Sequence, residues 1–484
     1  MAFSAPLFAA NCDGLRDLML PGATINSAAL IGAGEFVPAQ PGPPGGAAAL
    51  KSLPAFCRVS ATLRPSSDSQ IGIEVWLPAA GWNGNLQSVG NGAWAGTIGY
   101  PALATAVADG YAGASTDTGH TGNNADFITG HPEKVVDFAY RAVHELTLAA
   151  KGIVAAFYGD APKYSFWNGC STSGRQAFAE AQRFPNDYDG IIAGAPAFHA
   201  TRLQGEQVWV AAQAHKDEAA YIPPAKYPAM HKAVLDACDG LDGVKDGVLE
   251  NPTRCHFDPS VLACKGADSP DCLTAPQVEF AKRMYTGPDG IFPGVEPGTE
   301  LNWNMLAGPK PMALAVELYK YLVFNDPNWD YRTFNASADI AKAEKTIHGL
   351  MDSSDPNLKP FVAHGGKLLI YHGWADPGVP PLGSVNYYKS VVDTVGKKDA
   401  DSVRLFMVPG MGHCSGGDGT DKFNMVKVME NWVATNHAPE RIEASHMTKG
   451  QVDKTRPLCA YPQVAVYTGS GSTDEAAHFV CKAQ

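Results

Sequence analysis

The chain has 484 residues, a formal charge of −12 and a pI near 5.6. No basic run is present, which argues against nucleic acid and anionic membrane surfaces as partners. Hydrophobic residues make up 45% and charged residues 18%, a balance that excludes a disordered or fibrous chain and suits a large core with an insertion.

Residues 1–60 are rich in Pro and Gly ("PAQPGPPGGAAA") and read as irregular, anchored if Cys12 pairs with Cys57. The stretch "MAFSAPLFAANCDGL" lacks a basic start and a full apolar core, so it does not read as an intact signal peptide. From about residue 58 the pattern becomes regular. "IGIEVWLP" and "GNLQSVGNG" are strand-like, and "PALATAVADGYAGASTDTG" reads as a helix followed by a strand. "PEKVVDFAYRAVHELTLAAKGIVAAFYG" has helical spacing, "KYSFWNG" is a short strand, "SGRQAFAEAQRFP" a helix and "YDGIIAGAPA" another strand. This alternation predicts an α/β fold, a parallel sheet wrapped by helices.

Between about 198 and 355 the text turns Pro- and Cys-rich, and strand-like runs return only in "KLLIYHGWADP" and "SVRLFMVPGMGHC". The expected organisation is a core from 1–197, an inserted lid over 198–355 and the rest of the core over 356–484. The tail holds Cys459 and Cys481 and reads as a further stapled segment.

The ten cysteines are Cys12, Cys57, Cys170, Cys238, Cys255, Cys264, Cys272, Cys414, Cys459 and Cys481. They are even in number, scattered and without a CxxC pair, so disulfides in an oxidising compartment explain them better than a metal cluster. The expected location is therefore secreted or periplasmic. No apolar run reaches the ~20 residues needed to span a bilayer.

"FWNGCSTSGRQAF" matches the strand, tight turn and helix that present a nucleophilic serine in an α/β-hydrolase, with Ser171 at the tip and Ser173 where glycine is usual. Alone, this could be a Gly/Ser loop entering a helix. The same fold places an acid and then a base on loops after later strands. Asp376 in "LLIYHGWADPGVPP" and His413 in "LFMVPGMGHCSGG" occupy those places in that order. Cys170 precedes Ser171 and Cys414 follows His413, so a disulfide between them would tie the nucleophile turn to the base loop. In the chain-entropy model so long a loop is worth about 5 kcal/mol. The alternative is two buried thiols that flank a triad.

This pairing of Cys-Ser with His-Cys resembles the tannase and feruloyl esterase family, which also includes mono(2-hydroxyethyl) terephthalate hydrolase. The resemblance covers nearly the whole chain, through "GCSTSGR", "HGWADP", "GMGHCSGG" and the cysteine spacings. It implies an α/β-hydrolase fold with a large inserted lid domain, Ser171 as nucleophile, His413 as base, Asp376 as orienting acid, and a Cys170–Cys414 disulfide. It further implies the pairs Cys12–Cys57, Cys238–Cys255, Cys264–Cys272 and Cys459–Cys481. Oxyanion donors are expected at the N–H of Thr172 and in "GNGAWAG", at Gly92 with Gly90 or Ala93 as alternatives.

"CDGLDGVKDGVLE" sets Asp239, Asp242 and Asp246 within eight residues, interleaved with glycines. Carboxylates so close repel unless a cation neutralises them, and hard oxygen ligands select calcium. The carbonyls of Val244 and Val248 alternate with the aspartates; read without the family, the loop is equally a solvated acidic turn. The resemblance carries a structural Ca2+ in the lid onto Asp239, Asp242, Val244, Asp246 and Val248.

Weaker candidates are Asp117 and His120, expected in a locally satisfied turn, and His372, expected to be a packed structural histidine. Trp303, Tyr319, Tyr321, Phe324 and Trp329 read mainly as lid core, and Arg283 and Arg332 as surface ion pairs unless they meet a substrate carboxylate. The predicted activity is serine carboxylic ester hydrolysis on a small aromatic ester, free or polymer-linked, with the acyl preference implied by the resemblance: hydroxycinnamate, then gallate, then terephthalate half-ester. A calcium-dependent binding module without turnover is the alternative from another class, disfavoured by the complete Ser/Asp/His set.

Overall fold

The computed structural model describes residues 12–38, 50–288 and 290–483, and the chain divides into two compact units. The first comprises residues 1–191 with 364–366, the second 192–363 with 367–484.

The first unit is built on six strands: β1 (Ala23–Ile31), β2 (Phe56–Leu63), β3 (Ile71–Pro78), β4 (Asn85–Val89), β5 (Ala112–Thr116) and β6 (Tyr164–Cys170), in the order β1-β2-β3-β5-β4-β6. The β1, β2, β3 and β5 contacts are antiparallel, whereas β4 runs parallel to both β5 and β6. Those parallel links need crossovers, and helices α1 (Tyr100–Ala108) and α2 (Ala142–Tyr158) supply them. Side chains alternate along β3. Ile71, Ile73, Val75 and Leu77 pack with Leu146, Ile153 and Val154 of α2, while Trp76 packs with Leu103 and Val107 of α1. Each large apolar side chain so buried contributes roughly 1.5–3 kcal/mol. Buried on both faces, β4 and β5 have no exposed residue.

Residues 1–60 are not irregular throughout, as the composition suggested. β1 lies there, and only Ala28 of its nine residues is buried. An edge strand of this kind needs no apolar alternation, so its sequence carries no strand signal, and pairing with β2 defines it. Residues 1–11 and 39–49, which hold the apolar N-terminal stretch and most of the Pro/Gly tract, lie outside the described residues. Cys12 is bonded to Cys57.

In the second unit the strand order is β7-β8-β9, with β7 (Gly190–Gly194) at the passage from the first unit, β8 (Lys367–Gly373) and β9 (Val403–Val408). β8 and β9 are parallel, Leu368 facing Val403 and Gly373 facing Val408. Helices α3 (Thr172–Arg183), which follows β6 in the first unit, and α8 (Pro381–Val395), which follows β8, flank these strands in sequence. Between β7 and β8 the longer elements are helices: α4 (Ala200–Lys216), α5 (Tyr227–Cys238), α6 (Ala275–Thr286) and α7 (Ala336–Met351). Val210, Met230, Phe280 and Trp303 form the core of this segment. Its disulfides are Cys238–Cys255 and Cys264–Cys272. After α9 (Met425–Thr435) come two hairpins, β10 (Arg441–Thr448) with β11 (Gln451–Cys459) and β12 (Gln463–Tyr467) with β13 (Phe479–Ala483), joined by Cys459–Cys481. Among the described residues, no helix is long and apolar enough to cross a membrane.

Candidate active site

Ser171 sits between the end of β6 and the first residue of α3 with φ 67° and ψ −122°. A non-glycine residue held there stores on the order of 1–3 kcal/mol and persists only where its surroundings enforce it. The enforcement is local. Ser173 Oγ donates to the Cys170 carbonyl at 2.8 Å, Trp167 Nε1 donates to the Ser173 carbonyl at 3.0 Å, and Arg175 N–H donates to the Ser171 carbonyl at 3.1 Å. Gly169 and Gly90 make the room: a Cβ on either would stand 2.5 or 2.3 Å from Ser173 Cβ. Ser173 therefore fits the turn because both facing positions lack a side chain.

The 90–96 loop is drawn to the same place. Thr172 Oγ1 donates to the Ala93 carbonyl at 3.2 Å, and Ala95 N–H closes a turn on the Gly92 carbonyl. Asn91 Nδ2 holds the carbonyls of Thr97 and Thr116 at 2.6 and 2.8 Å. A Cβ at Gly92 would meet nothing within 4 Å, whereas Gly90 faces Ser173. The two expected oxyanion donors thus belong to neighbouring backbone, Thr172 at a helix N-terminus where free N–H groups concentrate. His120 and Asp117 brace this loop. His120 Nε2 donates to the Trp94 carbonyl at 2.6 Å, and Asp117 Oδ1 accepts from Gly72 and Gly119 N–H, both at 2.8 Å. Burial lowers the His120 pKa and pushes Asp117 up to about 7. The expectation of a locally satisfied turn holds only in part: Gly119 N–H is local to Asp117, but Gly72 lies on β3 and Trp94 on the 90–96 loop, so both side chains tie the turn to other segments.

In the second unit, Asp376 is fully buried just beyond β8. Its Oδ1 accepts from Gly378 N–H at 2.8 Å and Val379 N–H at 3.0 Å; its Oδ2 lies 2.6 Å from His413 Nδ1 and 3.2 Å from His372 Nε2. The close approach depends on Gly373, where a Cβ would fall 2.1 Å from the Met411 carbonyl oxygen, and on Ala375 N–H donating to that carbonyl at 2.9 Å. Burial alone would raise the Asp376 pKa, but the His413 charge and the bonds from both imidazoles outweigh it and hold the carboxyl far below its usual range. Asp376 in turn raises the His413 pKa against the opposing effect of burial. With Nδ1–H given to Asp376, the neutral His413 ring keeps Nε2 as its basic atom.

His372 is more than core packing. Its Nδ1 meets Ser384 Oγ at 2.7 Å, and its Nε2 meets the Val379 carbonyl at 2.9 Å as well as Asp376. Nε2–H is thus a second donor to the carboxylate loop. The signal was its spacing of four from Asp376 in "HGWAD", which sequence alone gave no reason to weigh.

All ten cysteines are disulfide-bonded; Cys170 and Cys414 are among them, and Cys414 has a left-handed φ of 65°. In the acidic loop, Asp239 Oδ1 accepts from Asp246 and Gly247 N–H at 3.3 and 3.2 Å, and Asp242 Oδ1 from Val244 N–H at 2.8 Å. Asp246 also meets Arg456, a contact between residues 210 positions apart that no local pattern foretells. Burial first, then the charges of Asp246 and Asp239, raise the Asp242 pKa. Among the described residues, Asp239 and Asp242 have no cationic partner, and no hydrogen bond reaches the Val244 or Val248 carbonyl. Three carboxylates and two unclaimed carbonyls are a donor set that fits a hard divalent cation.

Of the weaker candidates, Arg332 forms the expected surface ion pair, with Asp330 at 2.9 Å, whereas Arg283 donates to the neutral Gln213 at 2.5 Å instead of a carboxylate. Trp303 and Tyr319 are fully buried, and Trp329 stacks on both Tyr319 and Phe324, whose own rings are tilted to each other.

Residues 57–482 match the family model described as tannase and feruloyl esterase. The chain is 39% identical to an uncharacterized esterase of Xanthomonas campestris pv. campestris, over 98% of this chain and 91% of that one. It is 32% identical to a probable feruloyl esterase B-2 of Aspergillus terreus, over 97% and 94%. The crystal structure of feruloyl esterase B from Aspergillus oryzae superposes with a TM-score of 0.90 at 32% identity, covering 98% of this chain and all of that one. Tannin acyl hydrolase from Aspergillus niger shares the fold, with a TM-score of 0.80 at 24% identity over 97% and 93%. The molecule is a carboxylic ester hydrolase of the α/β-hydrolase fold, acting on an ester substrate. The chain belongs to the tannase and feruloyl esterase family.

Proposed function

We propose that this esterase cleaves esters of aromatic acids, hydroxycinnamate esters foremost, through a Ser171, His413 and Asp376 triad. The observation that carries the proposal is the 2.6 Å bond between His413 Nδ1 and a buried, ionised Asp376. Ser171 Oγ attacks the ester carbonyl while His413 Nε2 takes its proton, and the tetrahedral oxyanion receives N–H bonds from Thr172 and Gly92. Collapse expels the alcohol, which takes the proton back from His413. Water then enters and attacks the acyl-enzyme as it gives a proton to His413, and collapse releases the acid while His413 returns that proton to Ser171 Oγ.

Cys170 and Cys414 form the disulfide beside the nucleophile and base; their oxidised state and the mutual pairing of the other eight cysteines support this. Residues 198–355 act as the lid. Asp239, Asp242, Asp246 and the carbonyls of Val244 and Val248 hold a calcium ion, which would neutralise the clustered carboxylates and brace the lid. An oxidised cysteine complement supports a secreted or periplasmic location.

The test compares hydrolysis of methyl ferulate, methyl gallate and mono(2-hydroxyethyl) terephthalate by the purified protein, with Ser171→Ala as the blank. Turnover of methyl ferulate above the others, lost in the variant, is expected. A preference for gallate or the terephthalate half-ester would replace the acyl assignment, and full activity in the variant would end the triad reading.

A further inference from the structure

In the first unit, three titratable side chains outside the proposed triad converge: His144 of α2, Glu180 of α3 and Asp187 in the loop before β7. One ligand atom from each lies within 4.8 Å of the other two. His144 Nδ1 is 2.6 Å from Asp187 Oδ2, and its ring stacks on Phe184 with centroids 3.8 Å apart, which fixes its orientation. Glu180 is fully buried and Asp187 is 7% exposed, whereas the His144 side chain reaches solvent at 24%.

Glu180 sets this cluster apart. Neither of its carboxyl oxygens meets a donor among the described residues. Burial, the Asp187 charge and a bond that protonated Glu180 gives to Asp187 hold its pKa well above the carboxylate range, against the opposing charge of Lys151. One shared proton is then all that separates two buried carboxyl groups, and the remaining lone pairs of Glu180 stay unclaimed. Lys151 does not claim them: its Nζ donates to the Asp187 main-chain carbonyl at 2.5 Å. In the second unit, His199, His348 and Asp352 form a set of similar composition without this feature, since Thr201 donates to both Asp352 oxygens.

We propose that His144 Nδ1, Glu180 and Asp187 bind a divalent transition-metal ion, zinc foremost, as a structural site that clamps α2 to α3 and to the loop before β7. One imidazole and two carboxylates are a zinc donor set, and the two carboxylate charges balance the ion. Calcium, which takes six or more oxygens, is poorly matched to it. Bonds of about 2.0 Å at tetrahedral angles set ligand atoms about 3.3 Å apart, so His144 and Asp187 need open by only about 0.7 Å from their hydrogen-bonded separation. The ion displaces one proton: the one shared by Glu180 and Asp187 leaves to solvent, while the His144 ring carries its own on Nε2 and ligates through Nδ1. The partly exposed His144 side admits the ion and a water as fourth ligand.

The experiment loads the purified protein with Zn2+ in saturating Ca2+, which keeps the acidic 239–248 loop occupied, and measures the zinc retained after gel filtration by elemental analysis. One equivalent is expected. In zinc titrations, Glu180→Gln, which keeps the shape without the charge, and His144→Ala should each weaken binding by about tenfold or more. Zinc should also raise the melting temperature of the wild type and not that of the variants. Absence of bound zinc in the folded wild type would assign Glu180 and Asp187 to a shared-proton pair and overturn the proposal. Equal binding by the wild type and both variants would place the ion elsewhere, such as at His199 and His348, and overturn it as well. If Glu180→Gln does not fold, His144→Ala decides alone, because it alters a partly exposed helix residue.

Discussion

At Ser171 the backbone is held at φ 67° by hydrogen bonds made within a few residues, with Gly169 and, from the end of β4, Gly90 leaving space for Ser173. At Asp376 a carboxylate in the interior is held ionised by four donors, two backbone N–H groups and two imidazoles. The first arrangement is steric, its hydrogen bonds local and only Gly90 distant in sequence; the second is electrostatic and assembled from separate loops. A turn of the first kind tolerates changes that keep its volumes, such as serine for glycine at 173. A carboxylate of the second kind depends on every donor, because a buried charge that loses one has no water to replace it.

The widest separation between the two should appear with Asp376→Asn, which keeps shape and removes charge. A fall in kcat of about 10⁴-fold is expected while the protein remains folded. The pH profile sharpens this. His413 must be neutral to act as base, so activity falls as pH drops through its raised pKa, and the wild-type acid limb should lie above the ordinary histidine value of 6.5. In Asp376→Asn the limb should move down, and an unmoved limb would show that the limb does not report this pair.

Removing calcium tests whether the acidic loop follows the electrostatic pattern. With free calcium 100-fold above its Kd, binding stabilises by about 2.7 kcal/mol, so chelation should lower the melting temperature by several degrees. An unchanged melting temperature after verified metal removal would assign the carboxylates to their backbone N–H partners and to Arg456 and Lys454.

The steric side is broken by Gly169→Ala, whose Cβ would stand 2.5 Å from Ser173 Cβ and 2.9 Å from the Ser173 carbonyl oxygen. A loss of about 1–3 kcal/mol in denaturant titration is expected. Adding Ser173→Gly should recover part of it, because the carbonyl contact remains. Full stability of the single variant would mean that the turn is not close-packed.

The smallest effect concerns His231, which lies 2.9 Å from Glu300 and 3.2 Å from Asp418, in the loop that follows His413. Burial opposes its protonation, but both carboxylates outweigh this and push its pKa up to about 9. A pKa raised on folding stabilises fully below the unfolded value of about 6.5 and is lost as pH rises through the folded value. Stability should therefore decline between about pH 6.5 and 9, by on the order of 1–2 kcal/mol given screening at half-exposed Asp418, and the melting temperature should fall with it. His231→Gln should flatten that decline, and an identical slope in the variant would exclude the pair.

Much of this was legible in the sequence where neighbours in the chain decide the outcome. The strand, turn and helix around Ser171 follow from small residues flanking an apolar run, and the parallel strands follow from unbroken apolar stretches such as "LLIY" in β8. The edge strand β1 was not legible, since its partner supplies the order that its own residues lack. That Asp376 follows β8 and His413 follows β9 was legible, but the bond between them, the second donor from His372 and the contact of Arg456 with Asp246 were not. The reason is one of range. Backbone dihedrals are set by residues one to four positions away, whereas the protonation and reach of a buried carboxyl depend on donors that only the folded chain brings within 3 Å.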